Sequence, residues 1–214
     1  INGLTSPHSI SFEEEQVNSV TIIDLNATDG DPEHTEGGIA PNGNLRFEVL
    51  GTDKHFFDIS PAGILTFKNK MSFEDKNDSN SDNIYNITVR LTDPTSTTTD
   101  SATYDELTLV VNLTDKNEQP IIIQGASFQN SFTIQEGGTW NLPSNWLSAS
   151  DVDDNDNASL QWTIQFSQGG ALSGGSVGGT HAFPSFTYVP LTDYPNLSTG
   201  EGNETLTIQV TDHE

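Results

Sequence analysis

The feature that most constrains this chain is an internal repeat. Phe12-Glu13-Glu14 is echoed by Ile134-Gln135-Glu136, and Ala27-Thr28-Asp29-Gly30-Asp31 by Ala149-Ser150-Asp151-Val152-Asp153. Val89-Arg90-Leu91-Thr92-Asp93 returns as Ile208-Gln209-Val210-Thr211-Asp212, in the same order and at matching spacing. A repeat of about 100 residues implies tandem domains with separate cores rather than a solenoid. The break at Lys116–Pro120 sets the expected domains at 1–118 and 119–214.

Within each repeat, apolar residues alternate over short runs separated by turn-forming residues. The first repeat predicts strands at Ile10–Phe12, Val20–Leu25, Leu45–Leu50, Phe56–Ile59, Ile64–Phe67, Ile84–Leu91 and Leu107–Leu113. The second predicts Ile121–Ile123, Ser131–Ile134, Trp140–Leu147, Leu160–Phe166, Phe186–Val189 and Thr205–Val210. Such runs with turns between them specify an all-β sandwich or barrel, and no segment has a convincing helical period. The Gly/Ser-rich stretch from Gly169 to Gly179 reads as a surface loop. The second repeat is expected to lack a final strand, since Leu107–Leu113 has no counterpart after Asp212. That shortfall, and a start at Ile1, suggest a segment of a longer chain, or a strand supplied from elsewhere in it.

Charge then narrows the function. With 31 Asp+Glu against 7 Lys+Arg the formal charge is −24, which argues against nucleic acid and against an anionic membrane surface. No apolar run of ~18 residues is present for membrane insertion. There is no Cys, so thiol catalysis and Cys-ligated zinc are out. High charge with 32% hydrophobic residues also suits disorder, but the acids are not in blocks and the apolar residues keep their period. Carboxylates that meet bound cations reconcile a folded chain with this charge. Ca²⁺ takes 6–8 oxygen ligands from Asp, Glu, Asn and backbone carbonyls. Residues 151–157 read Asp-Val-Asp-Asp-Asn-Asp-Asn. The EF-hand pattern fails there, because its Gly and Glu positions hold Asp156 and Trp162.

The whole arrangement resembles the cadherin repeat, clearly in the first repeat and more loosely in the second. Glu14, with Glu15 as the neighbouring choice, matches that family's first Glu; Asp29 and Asp31 match its Asp-x-Asp, and Asn42 the Asn that follows. Met71-Ser72-Phe73-Glu74 matches Leu-Asp-x-Glu, Asp93 the late Asp, and Asp115-Lys116-Asn117-Glu118-Gln119 the linker. In the second repeat Asp151, Asp153, Asn157 and Asp212 fall in register, with Glu136 as the counterpart of Glu14. Three positions depart from the pattern: Ser72 replaces a carboxylate, Glu118 replaces Asp, and Gln119 replaces Asn. A lost carboxylate lowers the ligand charge, so about two or three Ca²⁺ are expected at the junction. Lys116 would offer only its carbonyl.

The resemblance implies antiparallel Greek-key β-sandwiches. It also implies a Ca²⁺-rigidified, non-enzymatic segment of an extracellular or cell-surface adhesion protein. Glu14, Glu74, Asp115, Asn117, Glu118, Asp151, Asp153, Asn157 and Asp212 would build one junction. Asp29, Asp31, Asn42 and Asp93 would be half of a preceding junction, and Glu136 part of a following one. The lack of Cys and scarcity of Lys and Arg are most similar to bacterial surface adhesins. Implied partners are neighbouring repeats and, beyond them, another surface protein, a second copy or a polysaccharide.

Other chemistries find less support. The five His are scattered, with no His-x-x-x-His pair, and no Gly-x-Ser-x-Gly elbow occurs. Trp140, Trp146 and Trp162 could stack on sugar rings if exposed, so a carbohydrate-binding module using these residues or the Gly-rich loop of the second repeat is the alternative; core packing is the commoner fate of such Trp residues.

Overall fold

The computed structural model describes residues 3–17, 19–27, 45–92, 104–135, 138–143, 146–153, 160–167, 171–173, 182–190 and 203–212. It is all-β, apart from a 3-10 turn at Lys54–Phe56. The chain divides into two compact units, Ile1–Lys116 and Asn117–Glu214. No described helix is long and apolar enough to cross a membrane.

Unit 1 holds β1 (His8–Glu13), β2 (Thr21–Asp24), β3 (Arg46–Leu50), β4 (Phe57–Ile59), β5 (Ile64–Phe67), β6 (Ile84–Thr92) and β7 (Tyr104–Thr114). They form a four-stranded sheet in the order β1-β7-β6-β3 and a three-stranded sheet β2-β5-β4. Pairing is antiparallel except at β1, which runs parallel to β7 from His8↔Leu109 to Glu13↔Thr114. That parallel edge is a feature that the strand pattern does not encode, because period two is the same in either direction.

Alternation decides which faces meet. Tyr85, Ile87, Val89 and Leu91 of β6 and Leu107, Leu109, Val111 and Leu113 of β7 are all buried. All but Leu91 pack with Leu25, Phe57, Leu65, Phe67 and Met71 from the other sheet and its flanks. Phe67 stacks on Phe57 at 4.6 Å and meets the edge of Tyr85 at 5.4 Å. The Tyr85 hydroxyl is buried without a hydrogen-bond partner among the described residues. Burial first, then the negative charges of Asp78, Asp53 and Asp75, push this phenol up to about 12.

Two buried carboxylates brace the loops beside β6. Asp53 accepts N–H bonds from Ser79 (2.9 Å) and Asn86 (2.8 Å). Asp78 accepts from Asn83 (2.9 Å), Asp82 (3.1 Å) and Asn80 (3.3 Å). Burial disfavours the Asp78 anion, but these donors outweigh it and hold its carboxyl below the ordinary 3.8. Gly51 ends β3 at φ +107°, where a Cβ would lie 3.0 Å from the Asn86 carbonyl oxygen.

Unit 2 holds β8 (Ile121–Gln124), β9 (Trp140–Leu142), β10 (Leu147–Ser150), β11 (Gln161–Phe166), β12 (Ala171–Ser173), β13 (Phe186–Val189) and β14 (Leu206–Thr211). Its pairings are β10-β8, β12-β13-β9 and β11-β14, all antiparallel. Leu142, Trp146, Leu147, Leu160, Trp162, Phe183, Phe186 and Tyr188 form its core, with Trp162 edge-on to Phe183 at 5.1 Å.

Three expectations are corrected in unit 2. The strand expected at Trp140–Leu147 is split at Pro143, which has no N–H to give a ladder and whose carbonyl closes a turn with Trp146 N at 3.1 Å. Ser131–Ile134 is not a strand, because no described strand pairs with it. The Gly/Ser-rich stretch carries β12, which borrows its register from β13 rather than from any period of its own. Among the described residues β14 pairs with β11 alone.

Tyr85→Phe removes a hydroxyl with no partner and is expected to leave stability unchanged or raise it by up to about 1 kcal/mol in urea denaturation. Gly51→Ala forces a side chain into a left-handed conformation against a backbone oxygen, and the same measurement should show a loss of more than about 1 kcal/mol.

Candidate metal centre

The site in unit 1 begins where β1 ends. Glu14 is fully buried, with its backbone N–H bonded to Thr114 O at 3.1 Å. Its carboxylate accepts the N–H of Phe73 at 2.6 Å and the N–H of Lys116 at 3.0 Å. One side chain therefore joins the end of β1, the segment after Met71 and the exit from β7. Glu15, the neighbouring choice, stands at φ +61° and forms an ion pair with Lys70. Glu14 thus turns into the cluster while Glu15 meets a cation outside it.

Glu74 lies in the segment held by Phe73. A carboxylate oxygen of Glu74 lies within 4.8 Å of one from Glu14, and likewise of one from Asp115. Ser72, where the family pattern has an acid, donates its hydroxyl to Glu74 Oε2 at 2.9 Å. The other oxygen, Glu74 Oε1, has no hydrogen-bond partner among the described residues. Asn83 holds Phe73 from behind, donating its side-chain N–H to the Phe73 carbonyl at 2.7 Å. Sequence reasoning missed Asn83, since nothing local links it to a residue ten positions earlier.

The electrostatics of this corner are unfavourable as it stands. Two like charges at 4.8 Å repel by about 3 kcal/mol at an effective dielectric of ~20. Burial raises the Glu14 carboxyl above its ordinary 4.5; the N–H bonds from Phe73 and Lys116 pull it back, and the charges of Glu74 and Asp115 push it further up. A bound cation or a bound proton would relieve this strain. Hard oxygen donors of this kind suit Ca²⁺ rather than a soft metal.

Unit 2 carries a second set. Asp151 and Asp153 directly follow β10, and both are buried. Asp151 Oδ1 accepts the N–H of Asp153 at 3.2 Å, which bends the chain. Asp153 Oδ2 accepts the N–H of Glu118 at 2.9 Å, while its Oδ1 has no hydrogen-bond partner among the described residues. Asn117 donates to Asp212 Oδ2 at 3.4 Å. The residues entering unit 2 are thus tied to the loop after β10 and to the end of β14. Gln119 is exposed. Asp29, Asp31, Asn42, Asp93, Glu136 and Asn157 lie outside the described residues.

Comparison with known proteins gives a fold and no closer kinship. No family model matches the chain, and no curated protein matches it. Among solved structures, human CDH23 EC21–23 is 15% identical over 96% of this chain and 60% of that one, with a TM-score of 0.50. Mouse cadherin-23 EC22–24 is 16% identical over 96% of this chain and 63% of that one (TM-score 0.48). Human protocadherin-24 EC1–2 is 15% identical over 95% and 89% (TM-score 0.48). The chain spans only 48% and 42% of two matching protocadherin structures, gamma B7 domains 1–4 and gamma B2 domains 3–6. At 15% identity the likeness to CDH23 EC21–23 shows the fold alone: it is cadherin-like.

A raised carboxyl binds its proton more tightly in the folded protein than in the unfolded chain. In EDTA the contribution of Glu14 is therefore most favourable below its ordinary 4.5 and declines as pH rises through and above that value. Urea midpoints between pH ~4 and ~7 should show this decline, and Glu14→Gln should flatten that part of it.

Proposed function

We propose that this chain is a Ca²⁺-rigidified pair of extracellular adhesion-type repeats. The observation that carries the reading is the convergence of Glu14, Glu74 and Asp115 in unit 1, with Glu74 Oε1 left without a hydrogen-bond partner. Their mutual repulsion is what a divalent cation would relieve. The second set begins directly after Asp115 and Lys116 in the chain, with Asn117 and Glu118, and is completed by Asp151, Asp153 and Asp212. In this reading both sets ligate the same ions, with Lys116 contributing its carbonyl and Gln119 its position in the linker. Without cations the carboxylates repel and the linker flexes; with Ca²⁺ they become ligands and the units lock end to end.

Affinity in the range of extracellular modules, Kd about 10⁻⁴–10⁻³ M, would suit a location at the cell surface. Asp29, Asp31, Asn42 and Asp93 would serve a preceding junction, with Asn157 added to the central one and Glu136 to a following one. The absence of Cys and the charge of −24 favour a bacterial surface adhesin as the parent. Partners would be adjoining repeats, a second surface protein, a second copy or a polysaccharide.

The carbohydrate-binding alternative is weakened by burial. Trp162 and Trp146 are 0% and 4% exposed, so neither offers a ring face for a sugar. Trp140 is half-buried and stacks on Phe132 at 3.4 Å.

Thermal melts and small-angle scattering in Ca²⁺ and in EDTA test the proposal. Stabilisation of about 2.7 kcal/mol is expected at a hundredfold excess of Ca²⁺ over Kd, together with a longer and stiffer particle. Identical melts and identical scattering in both buffers would sink it. Asp115→Ala or Asp153→Ala should abolish most of the stiffening while both units remain folded by circular dichroism.

A further inference from the structure

We propose, resting on the Ca²⁺ reading above, that Ser72 sets which divalent ion the acids of unit 1 accept. Its hydroxyl holds one oxygen of Glu74 and so narrows the preference of that site for Ca²⁺ over Mg²⁺.

The oxygens of the two glutamates are unequally committed. Both oxygens of Glu14 are taken by backbone donors, Oε1 by the N–H of Lys116 at 3.0 Å and Oε2 by the N–H of Phe73 at 2.6 Å. On Glu74, Oε2 accepts the Ser72 hydroxyl at 2.9 Å. Oε1 of Glu74 is buried and has no hydrogen-bond partner among the described residues. Of these oxygens, therefore, Glu74 Oε1 is the one left open to a cation, with an oxygen of Asp115 within 4.8 Å of a Glu74 oxygen.

Ca²⁺ and Mg²⁺ use a carboxylate differently. Ca²⁺ gathers about six to eight oxygens and readily takes both oxygens of one carboxylate. Mg²⁺ demands a near-octahedral shell, keeps several of its waters and is bound through one or two carboxylates. A Glu74 restricted to Oε1 denies Ca²⁺ a bidentate ligand and costs Mg²⁺ nothing. Ser72 also stands where the cadherin pattern has an acid. That missing charge weakens the attraction for either ion alike, so the hydrogen bond rather than the charge is what discriminates.

Two roles for the hydroxyl carry opposite signs. A hydroxyl whose oxygen is itself a ligand would take a donor from Ca²⁺ when removed, and affinity would fall. A hydroxyl that restrains Glu74 would release Oε2 when removed, and affinity would rise. The contact favours the restraint. It has the length of an ordinary O–H···O bond, and an ionised carboxylate only accepts, so the serine is the donor. The donors to Glu14 belong to the backbone, which leaves the Ser72 hydroxyl as the one that a side-chain substitution can withdraw.

The test uses the whole chain, ¹⁵N-labelled, at neutral pH. The amides of Phe73 and Lys116 serve as reporters, because both bind Glu14. CaCl₂ and, separately, MgCl₂ are titrated into the unaltered chain, Ser72→Ala and Ser72→Thr. In the unaltered chain both ions are expected to shift these amides saturably, with Kd values within about tenfold of each other. Ser72→Ala should lower the Ca²⁺ Kd about fivefold, the worth of one hydrogen bond, and leave the Mg²⁺ Kd unchanged. Ser72→Thr keeps the hydroxyl and should keep both values. If Ser72→Ala loses the native spectrum, Ser72→Gly makes the same deletion. A Ca²⁺ Kd that is unchanged or raised in the folded variant would overturn the role of Ser72 and leave the Ca²⁺ reading standing. So would a Ser72→Thr that behaves as Ser72→Ala, or an unaltered chain that responds to Ca²⁺ and not to Mg²⁺. Amides of the unaltered chain that respond to neither ion would overturn both.

Discussion

A single buried carboxylate organises the acidic end of unit 1. Glu14 leaves β1 and is met by the N–H groups of Phe73 and Lys116, so three stretches of chain close on one side chain. Those two bonds hold an anion in a place where burial opposes it and where Glu74 and Asp115 repel it. The fold supplies the framework that keeps like charges together. The parallel β1–β7 pair fixes the end of β1 beside the end of β7, and Asn83 fixes Phe73. A protein gains nothing in stability from such an arrangement alone, which is why the cation reading is the economical one.

The same architecture carries two different polar solutions. Asp53 and Asp78 are also buried, but each is met by backbone N–H groups. They brace loops, and Asp78 is held ionised. Glu14 and Glu74 share their space and leave an oxygen without a partner. Burial of an acid therefore does not by itself mark a metal site.

Much of the fold was legible because period two survives in the sequence wherever one face of a strand is buried. β6 and β7 each alternate across their length, and β11 and β14 keep the pattern in unit 2. β12 was illegible because three residues, Ala-Leu-Ser, are too few to show a period. Ser131–Ile134 was misread for the opposite reason: it has strand-like residues but no described partner, and a strand exists only as half of a pair. At the site, Glu14, Asp151, Asp153 and Asp212 could be read from the repeat and Glu74 and Asp115 from the resemblance, but whether Glu14 or Glu15 faced the cluster could not.

By itself the sequence determined the all-β class, the twofold repeat and the positions at which acids gather. Those follow from local rules: side-chain alternation, turn chemistry and charge. Only the tertiary structure decided that β1 pairs in parallel, that Glu14 turns inward while Glu15 meets Lys70, and that Trp146 and Trp162 are core residues rather than a sugar platform. Each of these depends on contacts between residues distant in the chain, where strand order, not local pattern, sets which groups meet.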